Sequence, residues 1–385
     1  MTHSRQELRL GTRGSQLALW QAHAVADRLV ESGGPPCRIV VIKTSGDRLQ
    51  DAPLSEVGGK RLFVKEIEDA LLRRDIDLAV HSSKDMPAIL PEGLAIAGVL
   101  PREDPLDAVV LPASHVRLKP DAAEEWSSAP GVSTDPVVSG LDTNPVVSGL
   151  SRTTGAVMTL EELLADLGQS PRIGTGSVRR VSQLTRLMPG ANFAGIRGNL
   201  DTRLRKVDSG EYDAIVLAAA GLRRLGFASR ISLALPPTAC VPAPGQGIVA
   251  IEMRDDDDAV RRAVARIDDP AAAAALTAER ALVAALGGGC QTPIGALATP
   301  VDRDGIELVA VVVSLDGSRA VRGLAHGSRR EAARIGAQVA AQLLADGADE
   351  ILADARNQTV ASRQSTVVSA QSTVHSRRSA NMTDE

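Results

Sequence analysis

Aromatic side chains are nearly missing from this chain, with three Phe, two Trp and one Tyr in 385 residues. That removes the platforms on which single-stranded bases usually stack. Cysteine is almost as scarce. The three present, Cys37, Cys240 and Cys290, form no C-x-x-C pair, and the six His show no metal-ligand spacing. Neither a disulfide framework nor a bound metal is expected, and the compartment reads as reducing. An excess of one charge is missing too: 43 Lys plus Arg against 47 Asp plus Glu leave a net charge of -4. No global field draws in nucleic acid or anionic membrane, so any anion binding must be local.

The uncharged stretch Ser232 to Ile251 holds four Pro and two Gly, which a membrane span of ~20 residues would not carry in this way. Met1 to Trp20 is charged at Arg5, Glu7, Arg9 and Arg13 and has no apolar core of a signal peptide. A cytoplasmic protein with neither nucleic-acid nor membrane partners is expected. What the chain has in quantity is arginine: of its 43 cations only six are Lys and 37 are Arg. These are planar forks that can take carboxylates two-pronged.

Short apolar runs alternate with amphipathic segments, the rhythm of a doubly wound α/β layer. Strands are expected at Leu8 to Leu10, Ile39 to Ile42 and Ile76 to Val80, with a helix opened by Ser15 and running to about Leu29. Phe63, Ile67, Ala70 and Leu71 mark one face of a second helix. A polar, Gly-rich loop from Ser45 to Lys60 lies between. The rhythm resumes with strands near Ala108 to Leu111, Arg172 to Gly174, Phe193 to Ile196 and Ala214 to Ala218.

Within that second run, Ala113 to Met158 carries a near-repeat, Thr134-Asp-Pro-Val-Val-Ser-Gly-Leu and Thr143-Asn-Pro-Val-Val-Ser-Gly-Leu. Two copies are too few for a solenoid, and the segment reads as a mobile surface insertion. Thr159 and Glu162 form a capping box for the next helix. Ile248 to Glu252 is expected to return as an antiparallel strand of the first domain. After Asp268 come an Ala-rich helix to about Leu286, a Gly-Gly-Gly-Cys loop, strands at Ile306 to Ser314 and Ala320 to Ala325, and a helix from about Arg329 to Leu344.

The expected organisation is therefore domain 1 over residues 1–100 and 246–266, domain 2 over 101–241 and a small α+β domain 3 over 268–357. The Ser-rich tail 358–385 is expected to be disordered.

Three strand-to-helix junctions carry cations where the helix dipole disfavours them: Gly11-Thr-Arg-Gly-Ser15, Gly174-Thr-Gly-Ser-Val-Arg-Arg180 and Ile196-Arg-Gly-Asn-Leu-Asp-Thr-Arg203. Free N–H groups beside arginines make sites for a polyanion, and parallel strand ends are where α/β sheets bind ligands. Ser177 is placed as the N-cap of the second junction. His81-Ser-Ser-Lys-Asp-Met-Pro87 sets Lys84 beside Asp85 at the end of a buried strand, a pairing suited to moving protons near a developing positive charge. Cys290, in Gly287-Gly-Gly-Cys-Gln-Thr-Pro293, is a candidate nucleophile or attachment point on a loop that lets other groups approach closely.

These segments resemble the porphobilinogen deaminase (hydroxymethylbilane synthase) family over roughly residues 8–355. The matching runs are Thr12-Arg-Gly-Ser-Gln-Leu-Ala-Leu-Trp-Gln21, Val57-Gly-Gly-Lys-Arg-Leu-Phe-Val-Lys-Glu66, His81 to Pro87 and Arg102-Glu-Asp-Pro105. They continue with Gly174 to Arg180, Arg197-Gly-Asn-Leu-Asp-Thr-Arg203, Pro244-Gly-Gln-Gly247, and Glu279-Arg280 followed by Gly288-Gly-Cys-Gln-Thr-Pro293.

The resemblance implies two periplasmic-binding-protein-like domains enclosing a cleft, and a third domain presenting Cys290, which carries a dipyrromethane cofactor through a thioether. Four porphobilinogens are then joined head to tail with loss of ammonia, and water releases hydroxymethylbilane. By the same resemblance Lys84, Asp85, Thr175, Ser177, Arg179 and Arg180 hold the cofactor. Arg13, Ser15, Gln21, Lys60, Phe63, Arg197, Arg203, Arg224 and Gln246 serve the substrate or the growing chain. Asp85 is the catalytic residue, bonding pyrrole N–H groups and stabilising an azafulvene-like cation. Lys60 and Phe63 end a proposed lid, in which Glu56 replaces the basic residue of some relatives. A monomer is implied, with its product passed to uroporphyrinogen-III synthase.

Two rivals use the same arginines. A non-catalytic two-domain binding protein for an acidic ligand accounts for neither Asp85 nor the Cys290 loop. A phosphate-handling enzyme would need a Walker-type run, and none occurs.

Overall fold

A computed structural model describes residues 7–44, 64–115, 158–288 and 292–358. The chain opens with β1 (Leu8–Thr12), α1 (Gln16–Glu31), β2 (Cys37–Val41), α2 (Lys65–Leu72), β3 (Leu78–Ser82) and β4 (Leu94–Val99). It crosses to a second sheet through β5 (Asp107–Val110), α3 (Leu160–Leu167), β6 (Arg172–Gly174), α4 (Val178–Leu187), β7 (Asn192–Ala194), α5 (Leu200–Asp208), β8 (Ala214–Ala218), α6 (Ala219–Arg224) and β9 (Leu233–Leu235). It then returns through β10 (Val249–Arg254) and α7 (Asp258–Val264). The last unit contains α8 (Pro270–Ala285), β11 (Ile294–Pro300), β12 (Gly305–Val313), β13 (Ala320–Ser328) and α9 (Ala332–Ala345), with further helix at 348–358.

The first two sheets share one plan. Their strand orders are β2-β1-β3-β10-β4 and β7-β6-β8-β5-β9. In each the fourth strand alone is antiparallel to its neighbours, and that strand is the one contributed across the junction: β10 returning, β5 entering. Two crossovers, 100–106 and 236–248, therefore join the units. Ile248 to Glu252 was expected to return antiparallel to the first sheet, and β10 does so.

Both sheets are covered on both faces, which is why their strands are nearly continuous apolar runs. Leu10, Leu78, Val80, Val249 and Ile251 pack on Ala22, Val25 and Leu29 of α1, while Ile67 and Leu71 of α2 cover Ala79 on the opposite face. In the second sheet Ile215 and Leu217 meet Leu204 and Leu222, and Val109 and Val216 meet Leu163 and Leu184. These are two doubly wound α/β units.

The third sheet, β11-β12-β13, is antiparallel. Ile306, Leu308, Ala310 and Val312 face Leu282, Ile335, Val339 and Leu343 of the two long helices. The alternate residues Val309, Val311 and Val313 face Val241 of the second crossover, the period-2 pattern of a strand buried on both sides.

Several bounds differ from expectation. β2 starts at Cys37 and ends before Ile42, and β3 starts two residues after Ile76. The Ile76 side chain is fully buried, but its carbonyl takes Arg254 Nη1 at 2.8 Å in place of a ladder partner. β5 begins at Asp107, one residue earlier than its apolar run. Strands β4, β9 and β11, helices α6 and α7 and the helix at 348–358 are additional to those read from the sequence. Residues 116–157 of the expected insertion, residues 45–63, which include the expected lid loop Ser45 to Lys60, and the tail from 359 lie outside the described residues.

Candidate functional site

At the end of β3 the chain turns through Ser83–Asp85, which puts the half-buried Lys84 and Asp85 at the carboxyl edge of the first sheet. Ser83 N–H donates to Ile248 O at 3.0 Å, so the turn is bound to the returning crossover. Gly245 there has φ +74°, and a Cβ on it would stand 2.6 Å from Ser83 Oγ. Only glycine permits this approach.

At the same edge β1 leads through Arg13 into α1. Ser15, expected to meet substrate, caps this helix, accepting Ala18 N–H at 3.4 Å. Gln21, one turn along, is 2 % exposed, and its Nε2 has no hydrogen-bond partner among the described residues.

Across the cleft, Gly174 to Ser177 joins β6 to α4. Ser177 occupies the N-cap position, but its hydroxyl accepts no capping bond. This corrects the expectation of a capping hydroxyl. Instead Thr175 Oγ1, on a buried residue, accepts Ser177 N–H at 3.4 Å.

The expected pair of ligand-gripping arginines divides. Arg179 is 4 % exposed; its Nη1 and Nη2 donate to Asp107 Oδ2 and Oδ1 at 2.6 and 3.0 Å, and Nη1 also to Val241 O at 2.8 Å. Both Nη atoms of that fork are engaged by protein groups. Arg180 gives Nε to Asp107 Oδ1 and Nη1 to Val216 O, each at 2.8 Å, and its Nη2 has no hydrogen-bond partner among the described residues. Burial alone would raise the pKa of Asp107, but the adjacent guanidinium charges of Arg179 and Arg180 hold it far below the carboxylate range.

The third junction adds Arg197 and Arg203. Asn199 caps α5 by accepting Thr202 N–H at 3.0 Å, and Arg203 Nε donates to Gly198 O at 2.9 Å. Burial pushes the Arg203 guanidinium below its usual pKa; the charges of Arg180 and Arg197 add to this, and Asp85 opposes it. Arg203 is thus near enough to Arg180, Arg197 and Asp85 to feel their charges, with cations in excess in a partly desolvated place. Such a set suits a ligand bearing several carboxylates.

The two remaining cleft residues, Arg224 and Gln246, are tied to the crossovers. Arg224 donates Nη2 to Gly247 O at 2.7 Å and lies over the Trp20 ring at 5.5 Å from its centroid. Burial pushes its pKa down to about 10, opposed by Glu103. Gln246, 1 % exposed, donates Nε2 to Pro105 O at 2.7 Å and to Asp107 Oδ1 at 3.0 Å, while its Oε1 accepts Lys84 Nζ at 3.4 Å. It links the two halves of the site.

Lys60, Phe63, Glu56 and Cys290 lie outside the described residues. In sequence, Cys290 falls between the end of α8 and the start of β11. Among the described residues no helix is long and apolar enough to cross a membrane, and no group of His, Cys, Asp and Glu is placed to hold a metal.

Sequence reasoning missed Asp107. A lone acid before an apolar run reads as the end of a loop, whereas two consecutive arginines on a buried helix face require a counter-charge, and that requirement was the available signal.

The family model "Porphobilinogen deaminase, dipyromethane cofactor binding domain" matches residues 8–134 and 146–262, so the skipped stretch falls inside the near-repeat. The model "Porphobilinogen deaminase, C-terminal domain" matches 273–345. Curated relatives agree along nearly their whole length. The porphobilinogen deaminase of Geobacter metallireducens is 42% identical over 357 residues, covering 92% of this chain and 97% of its own. That of Syntrophobacter fumaroxidans is 43% identical over 347 residues, covering 90% and 96%, and that of Geotalea daltonii is 40% identical over 357 residues, covering 92% and 97%. With both halves of the cleft and the third unit spanned by these matches, the chain belongs to the porphobilinogen deaminase family.

Proposed function

We propose that this chain condenses four porphobilinogen molecules head to tail onto a covalently held dipyrromethane primer, with loss of ammonia, and then releases hydroxymethylbilane by hydrolysis. The observation that carries the reading is Asp85, at the end of β3, within electrostatic reach of Arg203, whose charge Arg180 and Arg197 also influence. An acid-base group amid carboxylate-binding forks is what a polycarboxylate substrate with a basic leaving group needs.

The donor set fits the dipyrromethane, whose pyrroles carry acetate and propionate groups. Arg180, Lys84 and Thr175 are the residues to hold it, with Ser177 beside them and Arg179 holding Asp107 in place. When bound, that group supplies a pyrrole carbon as nucleophile already fixed in the cleft. Arg13, Gln21, Arg197 and Arg203 orient incoming carboxylates, with Ser15 fixing the start of α1. Asp85 accepts pyrrole N–H groups and offsets positive charge as ammonia departs. Arg224 and Gln246 support this set through the crossovers, and Lys60 and Phe63 belong to the lid.

The same reading places the attachment at Cys290, in the stretch of chain that follows α8, a helix tied to both crossovers through Glu279. It takes residues 1–100 with 246–266, 101–241 and 268–357 as three domains, supported by the three sheets. It makes the protein a cytoplasmic monomer handing its product to uroporphyrinogen-III synthase.

Intact-protein mass spectrometry of wild type beside Cys290→Ser tests the proposal. A wild-type excess of two deaminated porphobilinogen units, absent from the variant, is expected. An unmodified wild type that stays unmodified with porphobilinogen would leave a non-catalytic binding protein for an acidic ligand.

A further inference from the structure

Asp107 belongs to none of the junctions that face the cleft, yet two of the side chains that donate to it, Arg180 and Gln246, lead there. Its side chain is fully buried at the start of β5. Five donors converge on it: Arg179 Nη1 at 2.6 Å and Nη2 at 3.0 Å, Arg180 Nε at 2.8 Å, Gln246 Nε2 at 3.0 Å and Cys240 Sγ at 3.3 Å. Two of these branches continue to the site. Arg180, fixed at Nε by Asp107 and at Nη1 by Val216 O, lies close enough to Arg203 for its charge to act on that guanidinium. Gln246, fixed at Nε2, keeps Oε1 for Lys84 Nζ at 3.4 Å.

We propose that Asp107 is a positioning residue for carboxylate recognition, holding Arg180 on one side of the cleft and, through Gln246, Lys84 on the other from a single buried carboxylate. This rests on the deaminase reading given above.

The arrangement has a reason beyond fold stability. A buried ion pair is a poor stabiliser compared with apolar packing of the same volume, whereas a guanidinium meant to meet a planar carboxylate works only when its plane is fixed. Two arginines against one carboxylate also leave one positive charge uncompensated, and Arg179, bonded at both Nη atoms, acts as the clamp. The excess is therefore presented at Arg180. Supporting shells of this kind set the orientation of residues that touch the ligand.

The test compares wild type with Asp107→Asn, Asp107→Glu and Gln246→Met. It reads the fraction of purified protein carrying the covalent mass increment, KM and kcat for porphobilinogen, and the circular dichroism spectrum with its melting temperature. Folded Asp107→Asn is expected to show KM raised about tenfold or more, with a smaller change in kcat and a reduced fraction carrying the increment. Asp107→Glu should recover part of both. Gln246→Met should raise KM in a protein that still folds, with its melting temperature lowered less than that of Asp107→Asn.

Asp107→Asn that folds and keeps wild-type KM and occupancy overturns the proposal, because a purely structural ion pair would change only the melting temperature. Should Asp107→Asn fail to fold, Gln246→Met decides: an unchanged KM overturns the proposal and a raised one supports it. A wild type lacking both the increment and turnover sinks the deaminase reading and this proposal with it, an outcome separate from variants that match an active wild type.

Discussion

The carboxylate of Glu279 closes on the guanidinium of Arg102, with Oε1 2.7 Å from Nη1 and Oε2 3.4 Å from Nη2. The same two oxygens accept Ala298 N–H at 2.7 Å and Gly245 N–H at 2.5 Å. Arg102 lies on the outgoing crossover, Gly245 on the returning one and Ala298 on β11, so one fully buried side chain of α8 ties the third unit to both hinges.

Glu279→Ala leaves a largely buried arginine and two backbone donors without their acceptor. Breaking a buried pair in this way costs about 3–5 kcal/mol. We expect urea denaturation to show that loss, and Glu279→Gln, which still accepts, to lose less. Equal stability of Glu279→Ala and wild type would mean that the junction is not held here.

Asp85→Asn keeps the side chain's shape and removes its charge. Under the proposed function the variant retains the covalent mass increment, while kcat falls about a hundredfold or more. Retained mass with near-normal turnover would take the acid-base role away from Asp85. Loss of the increment together with activity would place Asp85 in primer assembly instead.

Most of this architecture was legible in the sequence, because the buried strands carry it: β6 and β8 occupy the bounds their apolar runs predict, and Thr159 with Glu162 forms the expected capping box. β9 escaped because three residues between two prolines and a turn carry too little periodicity to read. The cleft arginines were legible as cations against the helix dipole. The difference between Arg179 and Arg180 was not, since it depends on Asp107, whose strand begins one residue before its apolar run, and on Val241 and Gln246 from a distant crossover. Long-range partners of this kind leave no local pattern.

Acid should weaken the fold through the carboxylates that arginine holds ionised. Asp77, which burial alone would raise, is lowered overall by its hydrogen bonds to Arg9 and by the charges of Arg9 and Arg254; Asp107 is lowered more strongly. A carboxyl whose folded pKa lies below its unfolded value adds stability above the unfolded value, about 3.9 for Asp. That stability is lost as pH falls toward the folded value. Urea titrations between about pH 6 and pH 3 should therefore show unfolding free energy dropping below about pH 4. Asp77→Asn, outside the cleft, should be less stable at neutral pH and show a shallower drop. A wild-type stability flat across this range would contradict the depressed carboxyls.

The two described thiols should be inert in the folded protein. Burial pushes Cys37 up to about 11, helped by the negative charges of Glu7 and Asp77. Burial and the charge of Asp107 push Cys240 up to about 12, against the opposing charges of Arg179 and Arg180. Alkylation proceeds through the thiolate, so at about pH 8 each should react about a hundredfold or more slowly than an unperturbed cysteine with pKa near 8.5. Mass spectrometry of native protein treated with iodoacetamide should find Cys37 and Cys240 unlabelled on a timescale that labels both after unfolding in urea. Rapid native labelling of Cys240 would mean that the Asp107–Arg179 layer opens readily, and an Asp107 carboxylate in a layer that opens could not hold Arg180 or Gln246 in a fixed orientation.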